Sequence, residues 1–408
     1  MFIRTFVDTE AKMNKFLLLF VIVLVTIGTC SGTTKTYGAC SCKCWNSYCE
    51  NPTDAGKCNQ CAKSIQGIDG RTSMDGGKCW IKVANPLPKN DDNQEDWQLV
   101  PDANGKLHLV DIKRSVDGDI EPSFVGMNDM IFRLYTRNNL DIPQVIRINN
   151  QGDLANSFFN PLHQTRFMIH GWLGGGEGYE DNGRPIMRAF LNQGNFNFFM
   201  VDWSVGAETL NYIVARGRVN EVGTVVARFI DFTGQNTNLV SVMGHSLGAH
   251  AAGATGKRTT NRLASVVGLD PGGPLFSLDV PADRIDFTDA NFVEIHITDA
   301  GRLGFQHPVG HANFYPNWGT QQPGCGTDIT GQCGHSLVRD FFAESINPNF
   351  VFGAIRCRNL EDIRQRNCVV SGPSRRMGGE PIMDGPSEPG SVFFLTTNGQ
   401  TPFAHGPR

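Results

Sequence analysis

The chain has 408 residues, too many for one ordinary domain and comfortable for one large domain plus a small one. Its 36 basic and 40 acidic side chains leave a formal charge of -4. That balance argues against nucleic acid as a partner and against electrostatic anchoring to an acidic membrane.

In chain order, the first feature is the apolar run 16–27, FLLLFVIVLVTI, preceded by Lys12 and Lys15. A bilayer span needs about 20 apolar residues, so the run is too short to be a transmembrane segment. It reads as the core of a secretory signal peptide over residues 1–30, with Met13 as an alternative start and cleavage between Gly28 and Gly32. Twelve cysteines are present. By spacing, Cys325 and Cys333 form one short-range pair and Cys357 and Cys368 another. Cys40, Cys42, Cys44, Cys49, Cys58, Cys61 and Cys79 lie beyond the leader; an even set favours cleavage before Cys30, unless an odd thiol is free.

Residues 31–84 form a cysteine-rich module with too few apolar residues to fold on a core alone. Cys58-x-x-Cys61 invites a zinc reading, but a secreted context makes disulfides the better expectation. The module fits a recognition domain, a removable pro-segment or a spacer, and its partner is unknown. Residues 85–120, polar, acidic and turn-rich, read as a linker.

The remainder, 121–408, is expected to be one large domain. Short β-branched and aromatic runs at 131–136, 166–169, 198–201, 239–242, 266–269 and 293–297 read as strands. Helices are expected at 185–192, 215–232, 249–257 and 335–345. This alternation predicts an α/β fold with a mainly parallel central sheet covered on both faces, whose active groups sit at the carboxyl ends of the strands.

One strand end carries Gly244-His245-Ser246-Leu247-Gly248. A serine between glycines two positions away on each side, after a strand and before a helix of small residues, is the nucleophile-elbow pattern. A Gly-rich turn is the bland alternative. A serine hydroxyl becomes a nucleophile only when a histidine takes its proton, and that imidazole must be oriented by a buried acid. Asp270, at the end of the next strand and ahead of Pro-Gly-Gly, is the candidate acid, although a turn-forming Asp is the commoner role. Of ten histidines, His245 is expected to point away from the serine, His250 lies on the following helix, His170 belongs to another motif, His296 is in mid-strand, and His307 and His311 flank Pro308 on a strand or loop. His335 stands out because it follows Cys333 and opens a helical stretch, where a disulfide at the base of a loop holds it in place. The oxyanion of an acyl-transfer intermediate needs two N–H donors, for which Leu247, after the serine, and Trp172, in His170-Gly171-Trp172, fit.

As a set, Phe132-Arg-Leu-Tyr-Thr-Arg137, His170-Gly-Trp172, Val201-Asp-Trp203, the elbow, Gly268-Leu-Asp-Pro271, Gly310-His-Ala-Asn-Phe-Tyr-Pro-Asn317 and Phe394-Leu-Thr-Thr-Asn398 resemble the animal (pancreatic-type) lipase family over roughly residues 120–408. The resemblance implies an α/β-hydrolase fold, a Ser246, Asp270 and His335 triad, and Trp172 and Leu247 as oxyanion donors. Nothing in it matches the cysteine-rich module, and after Asn398 too little chain remains for the C-terminal β-sandwich of pancreatic and lipoprotein lipases.

In that family a disulfide-closed loop before the histidine covers the site, and its length tracks specificity. Here Cys325 and Cys333 enclose only seven residues, GTDITGQ, with one large apolar side chain. So short a loop cannot form the amphipathic helix with which long lids meet an oil surface. Together with the short stretch 298–305, it resembles insect and venom phospholipases A1, although a short lid also suits an open esterase. Arg356, Arg358, Arg364, Arg366, Arg375 and Arg376 crowd the second cysteine pair; they suit lipid phosphates, but a solvated surface is the favoured reading. The expected function is a secreted serine esterase acting without metal or cofactor on the sn-1 ester of phospholipid aggregates. A triacylglycerol lipase or galactolipase is the alternative among enzymes, and a catalytically silent lipid-binding or yolk-like protein the alternative outside them.

Overall fold

The computed structural model describes residues 97–102, 106–112, 124–175 and 179–407, and the backbone of 36–37, 40–41, 71–73 and 80–82. The chain divides into two compact units, Met1–Asn85 and Pro86–Arg408. In the first, β1 (Thr36–Tyr37) pairs with β2 (Cys40–Ser41) and β3 (Arg71–Ser73) with β4 (Trp80–Lys82), both antiparallel. The expected leader and the crosslinks of the cysteine-rich module lie outside the described residues. Among those residues, no helix is long and apolar enough to cross a membrane.

The second unit begins with a correction. The stretch 85–120, expected to be linker, contains an antiparallel hairpin of β5 (Trp97–Pro101) and β6 (Leu107–Asp111). Its inward face carries Gln98, Val100, His108 and Val110, all buried. Two of those four are polar, so the hydrophobic alternation that marks a half-buried strand is broken and the composition reads as loop.

The main sheet has eleven strands. Its parallel centre runs, in spatial order, β10 (Phe196–Asp202), β9 (Gln164–Ile169), β11 (Val240–His245), β12 (Ser265–Leu269), β13 (Phe292–His296), β14 (Ala312–Pro316) and β17 (Ser391–Leu395). Antiparallel strands finish both edges: β7 (Ile131–Tyr135) and β8 (Gln144–Ile146) beyond β10, and β15 (Gly353–Cys357) and β16 (Arg375–Arg376) beyond β17. Apart from Gln164 at the start of β9, the central strands are buried along their whole length, as expected where helices cover both faces. All six expected strands are present within three residues of their bounds, and the sheet is that of an α/β-hydrolase.

Each face has its own apolar core. On one, α1 (Tyr179–Gln193) and α4 (Gln332–Ser345) bury Ile186, Met187, Phe190, Val338, Phe341 and Phe342. On the other, α2 (Tyr212–Thr233) and α3 (Leu247–Gly256) pack so closely that a Cβ on Gly223 would run into Ala254. Helix α2 starts where the Asn211 side chain accepts from Val214 N–H and stops at Gly234, whose φ of 65° few other residues tolerate. Ala249, Ala251, Ala252 and Ala254 are all buried, which explains the small-residue lining of α3.

Candidate active site

Strand β11 ends at His245 and α3 begins at Leu247, leaving Ser246 alone to make the turn at φ 57° and ψ −123°. For a residue with a Cβ this conformation costs about 1–3 kcal/mol, and it persists because its surroundings over-determine it. A Cβ on Gly244 would run into the Gly248 carbonyl, and one on Gly248 into the carbonyl of Ile169. Both flanking glycines are therefore required by the close approach of β11, α3 and β9. Ser246 N–H donates to Leu269 O at 3.1 Å, which brings the ends of β11 and β12 together.

Asp270 follows Leu269 directly and is fully buried. Its Oδ1 accepts from the N–H groups of Thr298 (2.8 Å) and Asp299 (3.1 Å), and its Oδ2 lies 2.5 Å from His335 Nδ1. A carboxylate against Nδ1 selects the tautomer with the proton there, leaving the lone pair on Nε2. That Nε2 is buried and has no hydrogen-bond partner among the described residues. The structure thus brings the expected acid and base into contact; no hydrogen bond joins Nε2 to Ser246 Oγ.

His335 is held from three sides. The disulfide Cys325–Cys333 closes the preceding loop, with Cα atoms 5.7 Å apart, and α4 carries the residue in its first turn. The third hold is His245, whose Nε2 lies 2.8 Å from His335 O, with the two rings 4.7 Å apart. Burial, reinforced by the positive charge that His335 or Arg339 can bring, pushes the His245 imidazole well below its ordinary value. It is neutral and donates to the carbonyl. The expectation that His245 points away from the serine gave no hint of this contact, since nothing local indicates a partner 90 positions later.

The His170-Gly171-Trp172 turn lies against the serine. A Cβ on Gly171 would sit 3.0 Å from Ser246 Cβ and 3.5 Å from Oγ. The N–H groups of Trp172 and Leu247, the expected oxyanion donors, make no hydrogen bond to another described residue. The Trp172 ring is fixed by Nε1–H to Thr209 O (2.7 Å) and by edge contacts with Tyr212 (5.4 Å) and His108 of the hairpin (5.1 Å). His170 accepts from Trp203 N–H at 3.1 Å, and its Nδ1 lies 2.8 Å from Gly171 O. Burial works against the charge of Asp202, beside His170, but Ser204 N–H and Arg133 favour it and hold the carboxyl below its ordinary range.

The other histidines have structural surroundings. His250 joins Gly272 O (2.8 Å) to Ile285 N–H (3.2 Å), and burial holds it down to about 3. His296 is paired with Glu294 at 2.6 Å in mid-sheet, and His311 accepts from Val293 N–H. Cys357–Cys368 is a disulfide. Around it, Arg356 pairs with Glu388, Arg358 with Asp362 and Arg364 with Glu361, while Arg375 and Arg376 donate to Pro386 O and Pro381 O and Arg366 reaches Thr320 Oγ1 at 3.5 Å. Cys325, Asp328 and Cys333 have metal-site spacing, but their sulfurs are already bonded to each other.

Residues 114–403 match the sequence profile of the family described as Lipase. The chain belongs to the lipase family. It is 34% identical over 283 residues to lipase member H-A of Xenopus laevis, a match that covers 66% of this chain and 58% of that one. It is 33% identical over 291 residues to lipase member H of Oryctolagus cuniculus (65% and 62%) and 32% identical over 307 residues to pancreatic triacylglycerol lipase of Mus musculus (67% and 64%). The chain therefore spans less than two thirds of the length of these relatives. The family match leaves out all of the N-terminal unit, Met1–Asn85, and the β5–β6 hairpin. Within this lipase, the elbow, the acid and the histidine all fall inside the matched segment.

Proposed function

We propose that this lipase is a secreted serine esterase that cleaves the sn-1 acyl ester of glycerophospholipids. The Ser246 hydroxyl turns toward His335 Nε2, gives up its proton and attacks the ester carbonyl. The N–H groups of Trp172 and Leu247 bind the oxyanion, and Asp270 stabilises the imidazolium formed on His335. His335 then protonates the departing glycerol oxygen, and water, activated by the same imidazole, frees the fatty acid from Ser246. Two disulfides and the leader-like first 30 residues support an oxidising, extracellular setting.

The observation that carries the substrate class is the loop inside Cys325–Cys333. Its seven residues, 326–332, hold no helical turn before α4 starts at Gln332, and Ile329 is its one large apolar side chain. A lid this short leaves the site open to a substrate whose charged head stays near water. Triacylglycerol lipase is the second reading, favoured by the similarity to the pancreatic enzyme. Fatty-acid release from phosphatidylcholine vesicles and from triolein emulsion, compared at equal enzyme, decides between them. Faster release from phosphatidylcholine is expected; a strong preference for triolein overturns the phospholipid assignment.

A further inference from the structure

We propose that Arg302 is a positioning residue that locks the histidine-bearing loop 320–335 to the turn that orients Asp270. The inference rests on the Ser246, Asp270 and His335 reading above and adds what keeps its second and third members in register.

Arg302 lies in the short segment between β13 and β14, on a turn laced to the acid's own turn. Phe305 N–H donates to Pro271 O at 2.7 Å and Gly273 N–H to Leu303 O at 2.7 Å. A Cβ on Gly304 would sit 2.6 Å from Asp270 Oδ1, so this turn packs directly on the carboxylate. From here the Arg302 guanidinium spans outward to the other side of the site. Nη1 donates to Asp328 O at 2.5 Å and, more weakly, to Ile329 O at 3.4 Å; Nη2 donates to Thr320 O at 2.8 Å. Nη2 also forms an ion pair with Asp299 Oδ1.

Each contact leads to a member of the triad. Asp299 is fully buried, and its N–H is one of the two donors that hold Asp270 Oδ1. Burial and the neighbouring Asp270 charge push the Asp299 carboxyl well above its ordinary range, so the arginine is what offsets a costly buried acid there. On the far side, the Asp328 carboxylate accepts from Gly331 N–H (3.1 Å) and Gly334 N–H (2.8 Å), at the start of α4. His335 N–H donates to Gly331 O at 2.8 Å in the same turn. Arg302 therefore grips the backbone of the residue that caps the helix carrying His335. A planar fork of donors suits three carbonyls and a carboxylate at once; an ammonium does not. The loop lacks the amphipathic helix of a long lid, and this clamp explains how seven residues are kept in a defined place without one.

The test uses the full-length chain and Arg302→Ala, with kcat normalised to sites titrated by a fluorophosphonate. A misplaced base predicts kcat on p-nitrophenyl butyrate lower by about 10- to 100-fold, with KM within about twofold. The rate of Ser246 phosphonylation falls by the same factor, because it needs the same base, and added guanidinium restores part of it. Wild-type kcat per titrated site, or a change in KM alone, would overturn the proposal even if thermal stability fell. Should Arg302→Ala not fold, Arg302→Lys keeps a charge against Asp299 but loses the fork, and about a tenfold loss in kcat is expected; wild-type kcat there also overturns it. Ser246→Ala is measured in parallel. Activity surviving in that variant removes the triad reading itself, whereas activity lost there but intact in the Arg302 variants removes only the clamp.

Discussion

Ser246 and His335 arrive at the same end of the sheet by opposite physical routes. The serine is fixed within five residues of chain, where Gly244 and Gly248 let β11, α3 and β9 close on one another and force the backbone of Ser246 into a strained turn. The histidine sits in the first turn of α4, and no such five-residue constraint places it. Its place depends on Asp270, 65 positions earlier, on His245, 90 positions earlier, and on the Cys325–Cys333 disulfide. On the proposed reading, a nucleophile built from local geometry tolerates change elsewhere, but a base built from long-range contacts fails when any distant partner is removed.

The sharpest separation of the two regions is chemical. Ser246→Ala is expected to lower turnover by about ten-thousandfold or more, with the thermal midpoint nearly unchanged, because the hydroxyl makes no hydrogen bond among the described residues and the turn is set by its neighbours. Measuring activity and unfolding on the same sample checks both halves; a large loss of stability would mean the hydroxyl is structural. Next in size is Gly171→Ala. Its Cβ would press on Ser246 Cβ and on His245 O, 3.2 Å away, displacing the turn that presents Trp172 N–H. The expected outcome is a fall in kcat of about 100-fold, the scale of losing one oxyanion donor. Wild-type kcat would mean that this turn gives way without disturbing the site.

The remaining expected effects are smaller and fall mainly on stability. Replacing Cys325 and Cys333 together by serine removes a closed loop with a sequence separation of 8. Chain entropy puts the cost at about 2.5 kcal/mol, read from urea unfolding. A parallel drop in kcat distinguishes this loop from Cys357–Cys368, whose removal should leave kcat per folded molecule intact. The smallest effect is in pH. His250, on the elbow helix, is held down to about 3 in the folded chain, whereas an unfolded imidazole titrates near 6.5. Its folded-state value is depressed, so the unfolded chain binds the proton first, and stability present above pH 6.5 is lost as the pH falls. Relative to His250→Leu, the wild type should lose about 2 kcal/mol of stability between pH 7 and pH 5. Equal slopes in the two proteins would show that His250 is not kept neutral by folding.

Local features of the polypeptide determined a good deal. Apolar runs gave five of the seven parallel strands and left out β14 and β17, the small residues after Ser246 gave a closely packed helix, and the glycines on either side of the serine gave the elbow, because each depends on backbone sterics or on a period of a few residues. Weaker local signals failed: the β5–β6 hairpin turns Gln98 and His108 inward beside Val100 and Val110, so its pattern resembles loop, and the edge strands β8 and β16 are only three and two residues long. Tertiary structure alone decided that His245 holds the His335 backbone, that Arg302 bridges Asp299 to the loop before α4, and that His170 is seated between Gly171 and Trp203. These are hydrogen bonds and ion pairs between side chains and distant backbone groups. A polar side chain carries no mark of which distant carbonyl it will meet, since the partner is chosen by how the strands are ordered in the sheet.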